Sequence, residues 1–149
     1  MASDERGRAT AARTQAREAA LQMLYALESS GEGIERVIRG FWRETPGEPE
    51  GKSYADEIVR GTAEKLEEID AAISRASENW RLERMARVDR NVLRVATYEL
   101  GYSSGVPRSV IMDEAVNLAK KFGTEESGRF VNGVLSKIAD NFGRIDTDR

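Results

Sequence analysis

Four arginines, Arg6, Arg8, Arg13 and Arg17, stand among the first 17 residues against Asp4 and Glu5. Arg6, Arg13 and Arg17 fall at i, i+7 and i+11, so a helical start places them on one face. A guanidinium forks onto phosphate oxygens and stacks on bases, so this spacing suits a nucleic-acid contact. The same spacing suits the solvated face of an ordinary helix. The acidic spots, Glu67/Glu68/Asp70 and Asp113/Glu114, offer less. Adjacent residues on a helix point ~100° apart and do not converge as paired catalytic carboxylates do. The chain has neither Cys nor His, which removes thiol nucleophiles, His-based proton transfer, disulfides and Cys- or His-ligated metals. No Gly-rich phosphate loop precedes a Lys-Ser/Thr pair. The expectation is a protein without catalysis, without a metal and without a cofactor.

The elements that carry these residues are read from the apolar period. Ala16, Ala20, Met23, Leu24 and Leu27 predict a first helix of about residues 9–30, ended by Gly31 and Gly33. Ile34, Val37, Ile38, Phe41 and Trp42 predict a short helix over 34–43. Beyond the loop of Pro46 and Pro49, Tyr54, Ile58, Thr62, Leu66, Ile69 and Ile73 predict one long segment over 52–78, weakened at Gly61. Val88, Val92, Val95, Ala96 and Leu100 predict a helix over 87–103; Ile111, Ala115, Leu118, Ala119 and Phe122 predict another over 109–122. Gly123 stands where a left-handed C-cap belongs, and Thr124 where an N-cap belongs. Glu125 and Glu126 then fall in the first turn, where the helix dipole favours anions. Val131, Val134, Leu135 and Ile138 form the last stripe. Gly128 and Gly133 inside it call for either close helix packing or an approachable backbone. No segment alternates with period two. The fold class is all-α: a single compact domain of six or seven helices around one core. It spans residues 1–149, with flexible ends at 1–8 and 142–149.

With 149 residues and 40% hydrophobic composition the chain is long enough for one core. Its net charge of −3 excludes a uniformly basic nucleic-acid coat but permits a local basic patch. Met1–Arg17 lacks the apolar core of a secretion signal, and no run approaches the ~18 apolar residues of a membrane span. A soluble, cytoplasmic protein is expected.

Four ordered strings go further: AREAALQMLY (residues 16–25), VDRNVLRVATYEL (88–100), DEAVNLAKKFG (113–123) and FVNGVL (130–135). Together, from about Ala9 to about Asn141, the chain resembles the NusB family of bacterial transcription antitermination factors. The resemblance implies two helical sub-bundles, no enzymatic activity, and binding of the boxA element of nascent RNA together with NusE. NusE is a ribosomal protein that doubles as a transcription factor, and the complex joins RNA polymerase to suppress termination. Carried over position by position, the resemblance places RNA contacts at Arg8, Arg13 and Arg17 of the first helix. At the start of the last helix it places them at Glu126, Ser127, Arg129 and Phe130, and the two groups are expected to come together. It places NusE contacts at Glu83 and Asp89. Thr14 and Gln15 depart from the family pattern, since many relatives carry further arginines there. Two other classes stay open: a helical accessory to ribosomal RNA modification, and a dimerisation module without RNA binding. The former would need a Gly-rich cofactor loop and a catalytic Cys, and this chain holds neither. Self-association as a homodimer is compatible with either reading.

Overall fold

Where apolar residues recur every three to four positions the chain is helical, with one break, at Lys65. The computed structural model describes residues 2–45, 49–78, 80–103 and 105–145, the side chains of 2–6 and of 49 excepted. The Arg6 side chain, Pro46 and residues 146–149 therefore lie outside the described residues. Among the described residues there are seven α-helices and no strand: α1 (Ala2–Ser30), α2 (Ile34–Glu44), α3 (Pro49–Glu64), α4 (Leu66–Ala76), α5 (Arg87–Tyr102), α6 (Arg108–Phe122) and α7 (Glu125–Asn141). A 3₁₀ turn, Leu82–Arg84, lies between α4 and α5. The helices fall into two units, Met1–Ala63 and Glu64–Arg149.

In the first unit, α1 begins at Ala2 and not near residue 9. Alanine, the best helix former, recurs through residues 9–12 and carries no stripe of its own, so the apolar stripe underestimates the helix length. Gly31, at φ 71°, ends it as expected. Ala16, Ala20, Met23 and Leu24 of α1, Val37 and Ile38 of α2, and Ala55, Ile58 and Val59 of α3 are buried. Gly51 lets α3 come close to α1, because a Cβ there would stand 3.2 Å from the Ala12 carbonyl oxygen. Trp42 Nε1 donates to Asp56 at 2.7 Å, and Arg60 grips both Glu35 oxygens at 2.9 and 2.8 Å, tying α2 to α3.

The segment expected as one rod over 52–78 is two helices. Gly61 is helical, and the break falls at Lys65, whose φ of −103° and ψ of 19° leave the helical region. The break changes the phase of the stripe. Ile69 and Ile73 are fully buried, whereas Leu66, expected in the interior, is 38% exposed at the first position of α4.

In the second unit, α5 packs against α4, α6 and α7. Nine of its residues are buried, from Asn91–Leu93 through Val95–Leu100, as a helix enclosed by neighbours requires. Arg94 binds Asp70 of α4 through two hydrogen bonds of 2.9 and 3.0 Å and reaches Asn91 at 3.1 Å. Ile111, Ala115, Leu118 and Ala119 of α6 and Val131, Val134, Leu135 and Ile138 of α7 complete the interior. Beyond α7, Arg144 donates to the carbonyls of Leu100 (2.8 Å) and Val106, and Arg108 binds Asp140 at 2.9 Å. Gly123 corrects the left-handed C-cap expectation, with φ −122° and ψ −124°. A glycine is needed there for space: a Cβ would lie 2.6 Å from Ser127 Oγ and 2.8 Å from the Ala119 carbonyl.

Candidate nucleic-acid and partner surfaces

On the first unit the basic start of α1 is organised by one aromatic ring. The guanidinium carbons of Arg13 and Arg17 lie 5.2 and 5.7 Å from the centre of the Tyr54 ring on α3. The i, i+4 spacing puts both cations above the same ring, a favourable contact for each. Their exposures differ. Arg8 and Arg13 are exposed, whereas Arg17 is 3% exposed. Arg17, expected to reach RNA phosphate, thus lies in the packed face of α1, and its guanidinium orders Tyr54. Thr14 donates its hydroxyl back to the Thr10 carbonyl at 3.0 Å, adding no charge to this surface.

On the second unit the start of α7 is set by a reciprocal cap. Ser127 N–H donates to Thr124 Oγ1 at 3.1 Å, and Thr124 N–H donates to Ser127 Oγ at 3.2 Å. Thr124 is the N-cap, as its position predicts. Ser127 was expected on the RNA side; at 7% exposure, with its hydroxyl engaged in the cap, it shapes the helix end instead. Glu126, Arg129 and the neighbouring Glu125 are exposed, with Glu125 3.8 Å from Lys120 Nζ. Phe130 is half-buried, its ring 6.3 Å from that of Trp80 in an edge-to-face arrangement. Gly128 is explained by packing: a Cβ would come within 2.9 Å of Lys120 Cγ. Gly133 is not, for nothing lies within 4 Å of the place its Cβ would take.

Glu83 and Asp89 sit on the turn into α5 and on its first turn. Arg90 Nη1 donates to the carbonyls of Leu82 (3.0 Å) and Met85 (3.2 Å), clamping the 3₁₀ turn to the helix that follows. The Glu83 side chain is 72% exposed and 4.0 Å from Arg81. The N-cap of α5 is Ala86, so Asp89, its third residue, is not the cap. Asp89 is half-buried, and its Oδ1 is shielded without a hydrogen-bond partner, so the fold gains no hydrogen bond through that oxygen.

Trp80 is not revealed by spacing. It lies between α4 and α5, outside every periodic segment, and only its residue type marked it as unusual in a loop. Among the described residues no group of His, Cys, Asp or Glu could hold a metal ion, and no helix is long and apolar enough to cross a membrane.

Known proteins resemble this one along nearly its whole length. Transcription antitermination protein NusB of Sorangium cellulosum is 64% identical over 138 residues, covering 93% of this chain and 99% of that protein. The protein of the same name from Anaeromyxobacter dehalogenans is 50% identical over 131 residues, 87% of this chain and 92% of its own. Among solved structures, T. maritima NusB superposes with a TM-score of 0.80 at 43% identity, covering 86% of this chain and 90% of that one. A structure of the antitermination factors NusB and NusE in complex with dsRNA superposes at 0.81 with 30% identity, covering 87% and 97%. The model of the NusB family matches residues 14–140, which takes in most of α1 and the helices after it up to the last residue but one of α7; by sequence and by fold alike, this chain belongs to the NusB family.

Proposed function

We propose that this chain is a transcription antitermination factor: an adaptor that binds boxA-type RNA together with NusE and acts on RNA polymerase to suppress termination. The observation that carries this reading is the likeness to antitermination proteins over 99% of a relative's length. It works in the cytoplasm, beside RNA polymerase, and performs no chemistry of its own. Arg8 and Arg13 supply phosphate contacts from α1, while Arg17 keeps Tyr54 and its own helix in place. From α7, Arg129 meets phosphate, Phe130 meets a base, and Glu126 accepts from a base N–H. A carboxylate beside RNA is favourable only in such an accepting role. Ser127 holds these three at the helix end. Glu83, on the clamped turn, and Asp89, in the first turn of α5, face NusE, whose basic surface is matched by carboxylates on a protein of net charge −3.

The test is a titration of fluorescent boxA-type RNA with the chain, alone and with NusE. NusE should tighten binding, because a second RNA-contacting surface held in place adds contacts without a second association penalty. Absence of RNA binding at low salt with NusE present would overturn the reading.

A further inference from the structure

The connection between α4 and α5 presents an indole in the open and holds it there. Trp80 is 56% exposed, the most exposed aromatic side chain among the described residues. Its backbone is pinned on both sides of the peptide: Trp80 N–H donates to the Ser77 carbonyl at 2.9 Å, and Ser77 Oγ donates to the Trp80 carbonyl at 3.0 Å. Glu78, within the same turn, has φ 30°, a conformation that a non-glycine residue keeps only where its surroundings impose it. Against the ring stands Phe130, 6.3 Å away and tilted by 75°. The backbone that carries the indole is therefore fixed and the ring is backed by a second aromatic, while more than half of the residue stays in solvent. Exposed arginines adjoin both rings in sequence: Arg81 and Arg84 follow Trp80, and Arg129 precedes Phe130. Arg84 and Arg129 form no ion pair among the described residues, and Arg81 has only a 4.0 Å approach to Glu83.

We infer that Trp80, braced by Phe130, is a stacking platform for one unpaired nucleobase of the bound RNA, with Arg84 and Arg129 drawing the adjoining phosphates. This rests on the RNA-binding reading above and adds to it a residue and a mode of contact. A large rigid ring already ordered in the free protein accepts a base with little further loss of freedom, and every base has a face to offer it. An unpaired base is required, since in a duplex both faces are already stacked. Glu78, Glu83 and Glu126 are exposed beside the same rings, so what favours RNA is the aromatic face with the forked guanidinium donors next to it, and not the net charge of the patch.

The chain has two tryptophans, and Trp42 is on the other unit, bonded to Asp56. In a Trp42→Phe background, unlabelled single-stranded boxA-type RNA should quench the remaining indole, saturating where fluorescence anisotropy of a labelled strand saturates. Trp80→Ala should weaken RNA binding about tenfold, with Trp80→Tyr recovering most of it. The slope of affinity against salt should not change, because a stack releases no counterions. Unquenched fluorescence at saturation, or equal affinity of Trp80→Ala and the parent at every salt concentration, would overturn the platform while leaving RNA binding intact. Loss of NusE affinity with RNA affinity retained would also overturn it, making Trp80 a protein contact. Failure of the parent itself to bind RNA would bring down the functional reading as well, and the parent titration alone reports that.

Discussion

The cap that opens α7 separates a structural role from a contact role at a single residue. Ser127→Ala removes the acceptor of the Thr124 N–H, and Thr124→Ala removes the acceptor of the Ser127 N–H. Loss of an N-cap side chain costs about 1 kcal/mol. Thr124 lies outside the helix and gains nothing from becoming alanine, so Thr124→Ala should cost the full amount. Ser127 lies in the third helical position, where alanine is the better helix former by about 0.5 kcal/mol. Ser127→Ala should therefore cost only about half as much. Because each hydroxyl is held in place by the other, the double variant should cost less than the sum of the two. Urea unfolding followed by circular dichroism reads all three. RNA affinity, measured beside it, should change less for Ser127→Ala than for Arg129→Ala, because the Ser127 side chain is buried and engaged in the cap. A Ser127→Ala variant of unchanged stability and clearly weakened RNA binding would refute this assignment and return Ser127 to the contact surface.

Other consequences follow from the same packing and charge arrangement. Leu93 and Leu135 are fully buried, so Leu93→Ala or Leu135→Ala should each cost ~2–5 kcal/mol by urea unfolding; a loss below ~0.5 kcal/mol would contradict their burial. Asp89→Lys should weaken NusE binding in a pull-down or calorimetric titration while lowering stability by no more than about 1 kcal/mol, the scale of a reversed charge in a first helical turn. Unchanged NusE affinity at unchanged melting temperature would remove Asp89 from that surface. Glu35 is held below its ordinary pKa of 4.5, first by the hydrogen bonds from Arg60 and then by the charge of that guanidinium. A lowered carboxylate contributes to stability above its ordinary value and loses that contribution as pH falls through the folded one. A carboxyl-carbon NMR titration should therefore give Glu35 a midpoint below 4.5, and Arg60→Gln should raise it; a midpoint at or above 4.5 would contradict the pair.

Helices were legible wherever apolar period and end signals agreed. Residues 87–102 and 108–122 were predicted to within a residue, and the start of 125–141 at its cap, because Gly123 and Thr124 mark one junction and Pro107 another. The break at Lys65 was not legible: no proline or glycine stands there, and an apolar residue every three to four positions runs straight through it. Leu66 shows the consequence, a stripe residue turned outward by a change of phase. The arginines of α1 were recognised by type and spacing, but spacing does not tell which of them packs inward. Arg17 is buried because Tyr54, distant in sequence, comes to meet it. Ser127 escaped notice as a cap because the usual partner at that position is Glu or Gln. Trp80 escaped because residues outside the helices carry no period to read.

The most direct test of the central claim is the salt dependence of boxA-type RNA binding in the presence of NusE, for the parent and for Arg13→Ala. With Arg8, Arg13 and Arg129 each on a phosphate, the logarithm of affinity should fall against the logarithm of salt with a slope of about −2, from ~0.7 per contact on a single strand, and of about −3 with the contact inferred for Arg84 added. Arg13→Ala should flatten the slope by about 0.7 and weaken binding at low salt. An Arg13→Ala variant that binds as tightly as the parent at every salt concentration would contradict the account.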